Sequence, residues 1–169
     1  HGTDTPREIW NFGEQGTMFY DAIEKFIKLR YHLMPYIYSM AGAVHFNDYT
    51  IMRSLLFDFP QDKTARKIEN EFMFGPSLLI CAVTEPMYYG PESTELDRAK
   101  TWECYLPEGA DWYDYRTNKK YTGGQYVTVD APIDQIPIFV KAGSILPVAK
   151  GLTYASQKPE GAVKLMVYP

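Results

Sequence analysis

A chain of 169 residues with 46% hydrophobic and 22% charged content has the balance of an ordinary globular protein, long enough for one complete core and part of a second. Its formal charge of −4 argues against nucleic acid or an anionic membrane as partner, since either favours a basic face. No apolar run approaches the roughly 20 residues of a membrane span.

The chain opens on His1 and shows no signal-peptide-like apolar segment, so its compartment is not legible, and the opening reads as that of an excised segment. From Met18 to about Phe46 the pattern is helical. Phe19, Ile23, Phe26, Ile27, Leu33, Met34, Ile37 and Ala41 recur at spacings of three and four, while Glu24, Lys25 and Lys28 take the other face. Thr17 is placed to cap this helix, with Asp21 at its positive end. Pro35 inside the stretch predicts a kink, or two helices meeting near Leu33 and Met34. Ile51–Phe59 reads as a strand, and Thr64–Phe74 as a short helix striped by Ala65, Ile68 and Phe72 and stopped at Gly75-Pro76.

After Gly75 the texture changes. Leu78–Val83 is a wholly apolar run between Pro76 and Pro86, as expected of a strand buried on both faces. Short strands are predicted at Thr101–Leu106, Trp112–Tyr115, Tyr126–Val129, Ile136–Val140 and Val163–Tyr168. They are separated by the turn signals Pro107-Glu108-Gly109, Gly123-Gly124, Ala131-Pro132 and Ala142-Gly143. Strands at intervals of roughly 10 residues suggest an antiparallel sandwich. A helical stub so short cannot bury its apolar stripe alone, so it must pack on the sandwich, on sequence outside the chain, or on both. Cys81 and Cys104 are too few and too far apart for a disulfide framework or zinc site and are expected to be buried free thiols. His32 and His45 lack metal-ligand spacing and are expected to be packed or capping residues; neither a metal nor a cofactor is implied.

Five segments in order resemble glycoside hydrolase family 31, the α-glucosidase and α-xylosidase family. His1-Gly2 with Pro6–Gly13 is similar to the stretch after its last barrel strand, and Leu29–Ser39 to its final long barrel helix. Phe74–Leu79, then Tyr105–Gly109 with Trp112–Asp114, then Ile136–Ile145 resemble its proximal C-terminal sandwich. The resemblance implies an α+β fragment: the last helices of a (β/α)8 barrel over residues 1–47, then an all-β antiparallel sandwich over residues 48–169. One departure stands out. The family usually carries Pro at the position of Ala82, and Ala82 is therefore expected to add a ladder hydrogen bond that Pro cannot make.

The family's chemistry is implied in the same way. Its members cleave α-linked sugars with retention, which needs two carboxyl groups about 5–5.5 Å apart across the scissile bond. In the family both are Asp residues on barrel loops that precede the segment matching His1, so no catalytic residue is expected here and the isolated chain is predicted inactive. Asp4, Glu8, Glu14, Asp58 and Asp62 read as caps, turns and solvated positions. His1 is the one expected substrate contact, a neutral imidazole able to donate and accept hydrogen bonds with sugar hydroxyls. The partner implied is an oligosaccharide or glycoside, bound through the parent enzyme. The look of Pro6–Gly13 leans towards α-xylosidase over α-glucosidase. Trp10 and Phe12 are expected either at the active-site mouth or in the barrel core.

Two other readings remain open on the residues alone: a carbohydrate-binding sandwich and a protein-interaction sandwich. Trp102, Trp112, Tyr113 and Tyr115 supply a possible sugar-stacking platform. Alternation places Trp112 with Asp114 on one face and Tyr113 with Tyr115 on the other, so at most half of them are available for it.

Overall fold

The computed structural model describes residues 6–159 and 161–169; His1 and Asp4 lie outside them. A 3-10 turn at Ile9–Phe12 leads into helices α1 (Met18–His32) and α2 (Met34–Asn47). Strand β1 (Met52–Ser54), the single helical turn α3 (Leu55–Asp58), β2 (Glu71–Phe74) and β3 (Leu78–Cys81) follow. After a long excursion come β4 (Thr101–Leu106), β5 (Asp111–Asp114), β6 (Lys120–Thr122) and β7 (Gln125–Asp130). The last strands are β8 (Ile138–Lys141), β9 (Ser144–Val148) and β10 (Lys164–Tyr168). The main sheet runs β1-β2-β3-β8-β5-β6, while β4 with β7 and β9 with β10 form separate two-stranded ribbons. Every pairing between these strands is antiparallel.

The pleat divides the core into two layers. Along β3, Leu79 and Cys81 point to one face of the main sheet and Leu78 and Ile80 to the other. On the first face, Met73, Leu79, Trp112 and Phe139 pack with Trp102, Cys104 and Leu106 of β4 and Val127 of β7. On the second, Leu78 and Val140 meet Leu33 and Tyr36 from the helices and Leu146, Val148 and Tyr168 from the β9–β10 ribbon. This explains why residues 78–83 lack alternation: β3 has a core on either side. The sandwich is all-β and antiparallel, with the two helices laid against its back.

The helical region breaks at Leu33, between α1 and α2, with Pro35 in the first turn of α2 where its missing N–H costs nothing. Thr17 occupies the N-cap position, but its side chain does not cap; its hydroxyl donates to the Glu14 carbonyl. Asp21 takes over, accepting the Gly16 amide at 2.9 Å. At the far end of α1 the His32 carbonyl accepts the Ala149 amide, and His32 Nδ1 meets the Ala149 carbonyl at 2.7 Å. Since that carbonyl only accepts, Nδ1 carries the proton. His32 is a packed, structural histidine. His45 lies in the last turn of α2, edge-on to Phe46.

Tyr36 fastens α2 to the sheet. Its buried hydroxyl donates to the Phe74 carbonyl at 2.8 Å and accepts the Ser77 amide at 3.2 Å, so it satisfies both sides of the β2–β3 turn. Burial, the largest influence, pushes its pKa up to about 12. Gly75 in that turn has a φ of +65°, and a Cβ there would run into the Tyr36 hydroxyl. Tyr36→Phe strands a buried carbonyl and a buried amide and is expected to cost about 1–3 kcal/mol. The check is the urea midpoint of unfolding; a loss under about 0.5 kcal/mol would mean that water reaches the turn.

Two predicted elements differ from expectation and two strands were not predicted. Thr64–Phe74 is a 3-10 turn at Ala65–Lys67 followed by β2, and Gly75-Pro76 belongs to a hairpin turn rather than a helix stop. The Ala65, Ile68, Phe72 spacing fits a helix, but pairing of residues 71–74 to β1 and β3 decides for a strand. Ile51–Phe59 is β1 for three residues and then α3, started by Ser54, whose hydroxyl accepts the Leu56 amide. Strands β6 and β9 complete sheets that the sequence left short. By contrast, the Ala82 amide donates to the Asn70 carbonyl at 2.9 Å, extending the β2–β3 ladder by one bond.

Candidate functional site

The carboxylates decide what this chain can do chemically, and several of those singled out in the sequence are held by specific partners. The Glu8 carboxyl accepts the Asn11 side-chain amide at 3.0 Å; at Glu14 it is the backbone carbonyl, not the carboxyl, that accepts the Thr17 amide. Asp58 is paired with Arg53 at 3.0 Å. Asp62 is buried and accepts four bonds: Oδ1 from the Thr64 and Ala65 amides, Oδ2 from the Tyr105 hydroxyl and the Glu108 amide. Burial acts to raise the Asp62 pKa, but these donors outweigh it and hold the carboxyl below its ordinary value. Asp62 therefore closes an Asx turn and ties it to the β4–β5 connection. That is scaffold work.

A groove of about 400 Å³ lies between α1 and the sandwich, walled by Phe26, Leu29, Tyr115, Ile136 and Ile138. Its carboxylates are also committed. Asp134 pairs with Lys25 at 2.7 Å, and Asp114 accepts the Arg116 and Thr117 amides. Hydrogen bonding from Lys25, the largest influence, lowers the Asp134 pKa. Asp114, Asp130 and Asp134 share the lining of this groove, but Asp114 and Asp134 are held by backbone amides and by Lys25 rather than left free to act as an acid–base pair. Among the described residues no group of three or more His, Cys, Asp or Glu is placed to hold a metal ion, and no helix is long and apolar enough to cross a membrane.

The aromatic platform is absent. Trp102 and Trp112 are buried in the first core layer, and Tyr113 and Tyr115 pack against the second. The alternation of Trp112 with Asp114 is as the sequence implies, with both buried. The most exposed aromatics are on the helical side, Trp10 at 70%, Tyr38 at 79% and Phe46 at 80%, although Phe57, Tyr126 and Tyr154 are exposed on the sandwich side as well.

One group went unnoticed in the sequence. Glu71 is a buried carboxylate on β2, facing the layer between the sheets. Its Oε1 accepts the Tyr105 amide at 2.7 Å, whereas Oε2 has no partner of good geometry. Burial dominates and raises its pKa from 4.5 to about 7. The three apolar residues that follow Glu71 give no polar–apolar alternation, so its place on a buried strand face shows only in the structure.

An antiparallel sandwich backed by two helices is the frame in which these residues sit. The model of the glycosyl hydrolase family 31 C-terminal domain matches residues 48–146, and that of the family's TIM-barrel domain matches residues 1–40. The chain belongs to glycosyl hydrolase family 31. It is 37% identical over 169 residues to an α-xylosidase of Saccharolobus solfataricus, covering 100% of this chain and 21% of that protein. It is 36% identical over 143 residues to the human neutral α-glucosidase C, covering 84% of this chain and 14% of that one. Among solved structures, a family 31 α-xylosidase from Xanthomonas citri superposes with a TM-score of 0.84 at 38% identity, over 96% of this chain and 16% of the other. A Flavobacterium johnsoniae dextranase solved with isomaltotriose gives 0.81 at 37% identity, over 96% and 18%. The chain thus spans about a fifth of the length of these relatives or less.

Proposed function

We propose that the chain is the structural C-terminal part of a retaining α-glycosidase that hydrolyses α-glucosides or α-xylosides, and that on its own it is inactive. The observation that carries this reading is the commitment of Asp58, Asp62, Asp114 and Asp134 to ion pairs and backbone amides. A double displacement needs two carboxyl groups held about 5–5.5 Å apart on either side of a sugar, one of them free to attack. In this reading that pair belongs to barrel residues outside the chain, residues 1–47 complete the barrel, and residues 48–169 buttress it. His1 contacts hydroxyls of the bound sugar. The exposed Trp10, Tyr38 and Phe46 support the division, because apolar surface of this kind on a helical stub marks a face that packs on something else. The wall that distinguishes xylose from glucose, at the position of the 6-hydroxymethyl group, lies outside the chain.

The test is direct. Purified residues 1–169 are expected to show no turnover of aryl α-glucosides or aryl α-xylosides, while the full-length protein cleaves at least one. Turnover by the fragment that survives purification controls would overturn the proposal. A clear calorimetric isotherm with xyloglucan or malto-oligosaccharides would move the assignment to a carbohydrate-binding module; the burial of Trp102 and Trp112 argues against that outcome.

A further inference from the structure

We propose that Cys81 and Cys104 are an oxidisable pair that closes a disulfide between the two sheets of the sandwich, with Glu71 as the proton acceptor. Both thiols are free, fully buried and in the same core layer, Cys81 on β3 of the main sheet and Cys104 on β4 of the ribbon that covers it. Two backbone observations bring them to one point. Glu71 and Cys81 are direct partners across β2 and β3, and the flanking Ala82–Asn70 bond makes theirs the non-hydrogen-bonded type of pair, in which side chains stand closest. Glu71 Oε1 in turn holds the amide of Tyr105, the residue next to Cys104. Glu71 thus stands beside Cys81 across the sheet and beside the chain neighbour of Cys104 on the ribbon, with both thiols in one core layer.

The chemistry needs a small oxidant, and hydrogen peroxide is the class that fits a dry layer. Cys81 sulfur attacks one peroxide oxygen, the O–O bond breaks, and sulfur is oxidised to sulfenic acid. The thiol proton passes to the Glu71 carboxylate and on to the departing oxygen, which leaves as water. Cys104 then attacks the Cys81 sulfur, the S–O bond breaks, and the departing hydroxide takes the Cys104 thiol proton and leaves as a second water. Burial first, then Cys104 and Glu71, raise the Cys81 pKa, so no thiolate stands ready and an adjacent base is required. The unpartnered Glu71 Oε2 supplies it. The cross-link would tie off the loop between β3 and β4 at its base.

The experiment treats the intact protein with hydrogen peroxide, blocks remaining thiols under denaturing conditions, and maps peptides by mass spectrometry. The expected product is a reductant-sensitive Cys81–Cys104 peptide, two hydrogens lighter than the sum of its parts. It should be absent from Cys81→Ala and Cys104→Ala and slower to form in Glu71→Gln. Recovery of both thiols unlinked after exposure that oxidises exposed methionines, or sulfinic acid at either cysteine without a link, would overturn the pair. Equal rates in Glu71→Gln and the parent protein would overturn the role of Glu71.

Discussion

Replacing Trp112 with alanine is expected to lower the unfolding free energy by about 3–5 kcal/mol, the usual cost of deleting a large buried aromatic. The ring is fully buried at the centre of the first core layer, 5.8 Å between centroids from Phe59, and its Nε1 donates to the Pro107 carbonyl at 3.0 Å. Truncation opens a cavity and also strands the Pro107 carbonyl beside the β4–β5 turn. The neighbours cannot collapse into the space, because Phe139 and Leu79 are fixed by the β3–β8 pairing. With typical domains stable by only about 5–15 kcal/mol, the variant should be close to unfolded at 37 °C. Chemical denaturation followed by circular dichroism checks this. A loss below about 1 kcal/mol would show that the ring is not the centre of the layer.

Glu71→Gln is expected to act in the opposite direction, and only at higher pH. In the unfolded chain Glu71 titrates near its ordinary 4.5, and in the folded chain near 7. Between those values the folded state holds a proton that the unfolded state has lost, so stability falls as pH rises through this window and levels off above it. The shift corresponds to about 3 kcal/mol at the upper plateau. Glutamine keeps an acceptor for the Tyr105 amide and carries no charge. The variant should match the parent protein near pH 4 and exceed it near pH 8, by up to about 3 kcal/mol. Thermal melts at the two pH values give the difference; an equal pH dependence in both proteins would rule out an ionising Glu71.

The helical pair and its break at Leu33 were legible because two independent signals agreed, the spacing of three and four and Pro35. The doubly buried β3 was legible from its unbroken apolar run, and the extra Ala82 bond from the presence of an amide where the family has none. What failed to show depended on distant partners. Residues 71–74 become a strand because β1 and β3 are on either side of them, and no local signal outranked the helical spacing of Ala65, Ile68 and Phe72. Strand β6, Lys120–Thr122, is short and polar because it is the sheet edge. Strand β9 carries Pro147, tolerable because β9 pairs with β10 on one side only. Of the candidate site, the structural duty of Asp62 followed from turn chemistry, whereas the ion pair of Asp58 with Arg53 did not. Glu71 did not, since reading residues 64–74 as a helix took it off the apolar face.

The main sheet joins a three-stranded meander, β1-β2-β3, to the β5-β6 hairpin through β8, along one seam where Leu79 meets Phe139. During synthesis the meander leaves the ribosome well before the strand that must cover it. At about 5–20 residues per second, the interval between Leu79 and Phe139 is roughly 3–12 s. The second core layer waits longer, for Tyr168 near the far end. Throughout that first interval β3 has no neighbour on its β8 side, although Leu33 and Tyr36 on one face precede it and the β4–β7 ribbon on the other is made before β8. Its demand on chaperones is therefore set by strand order, and moving β8 earlier in the chain by circular permutation should relieve it.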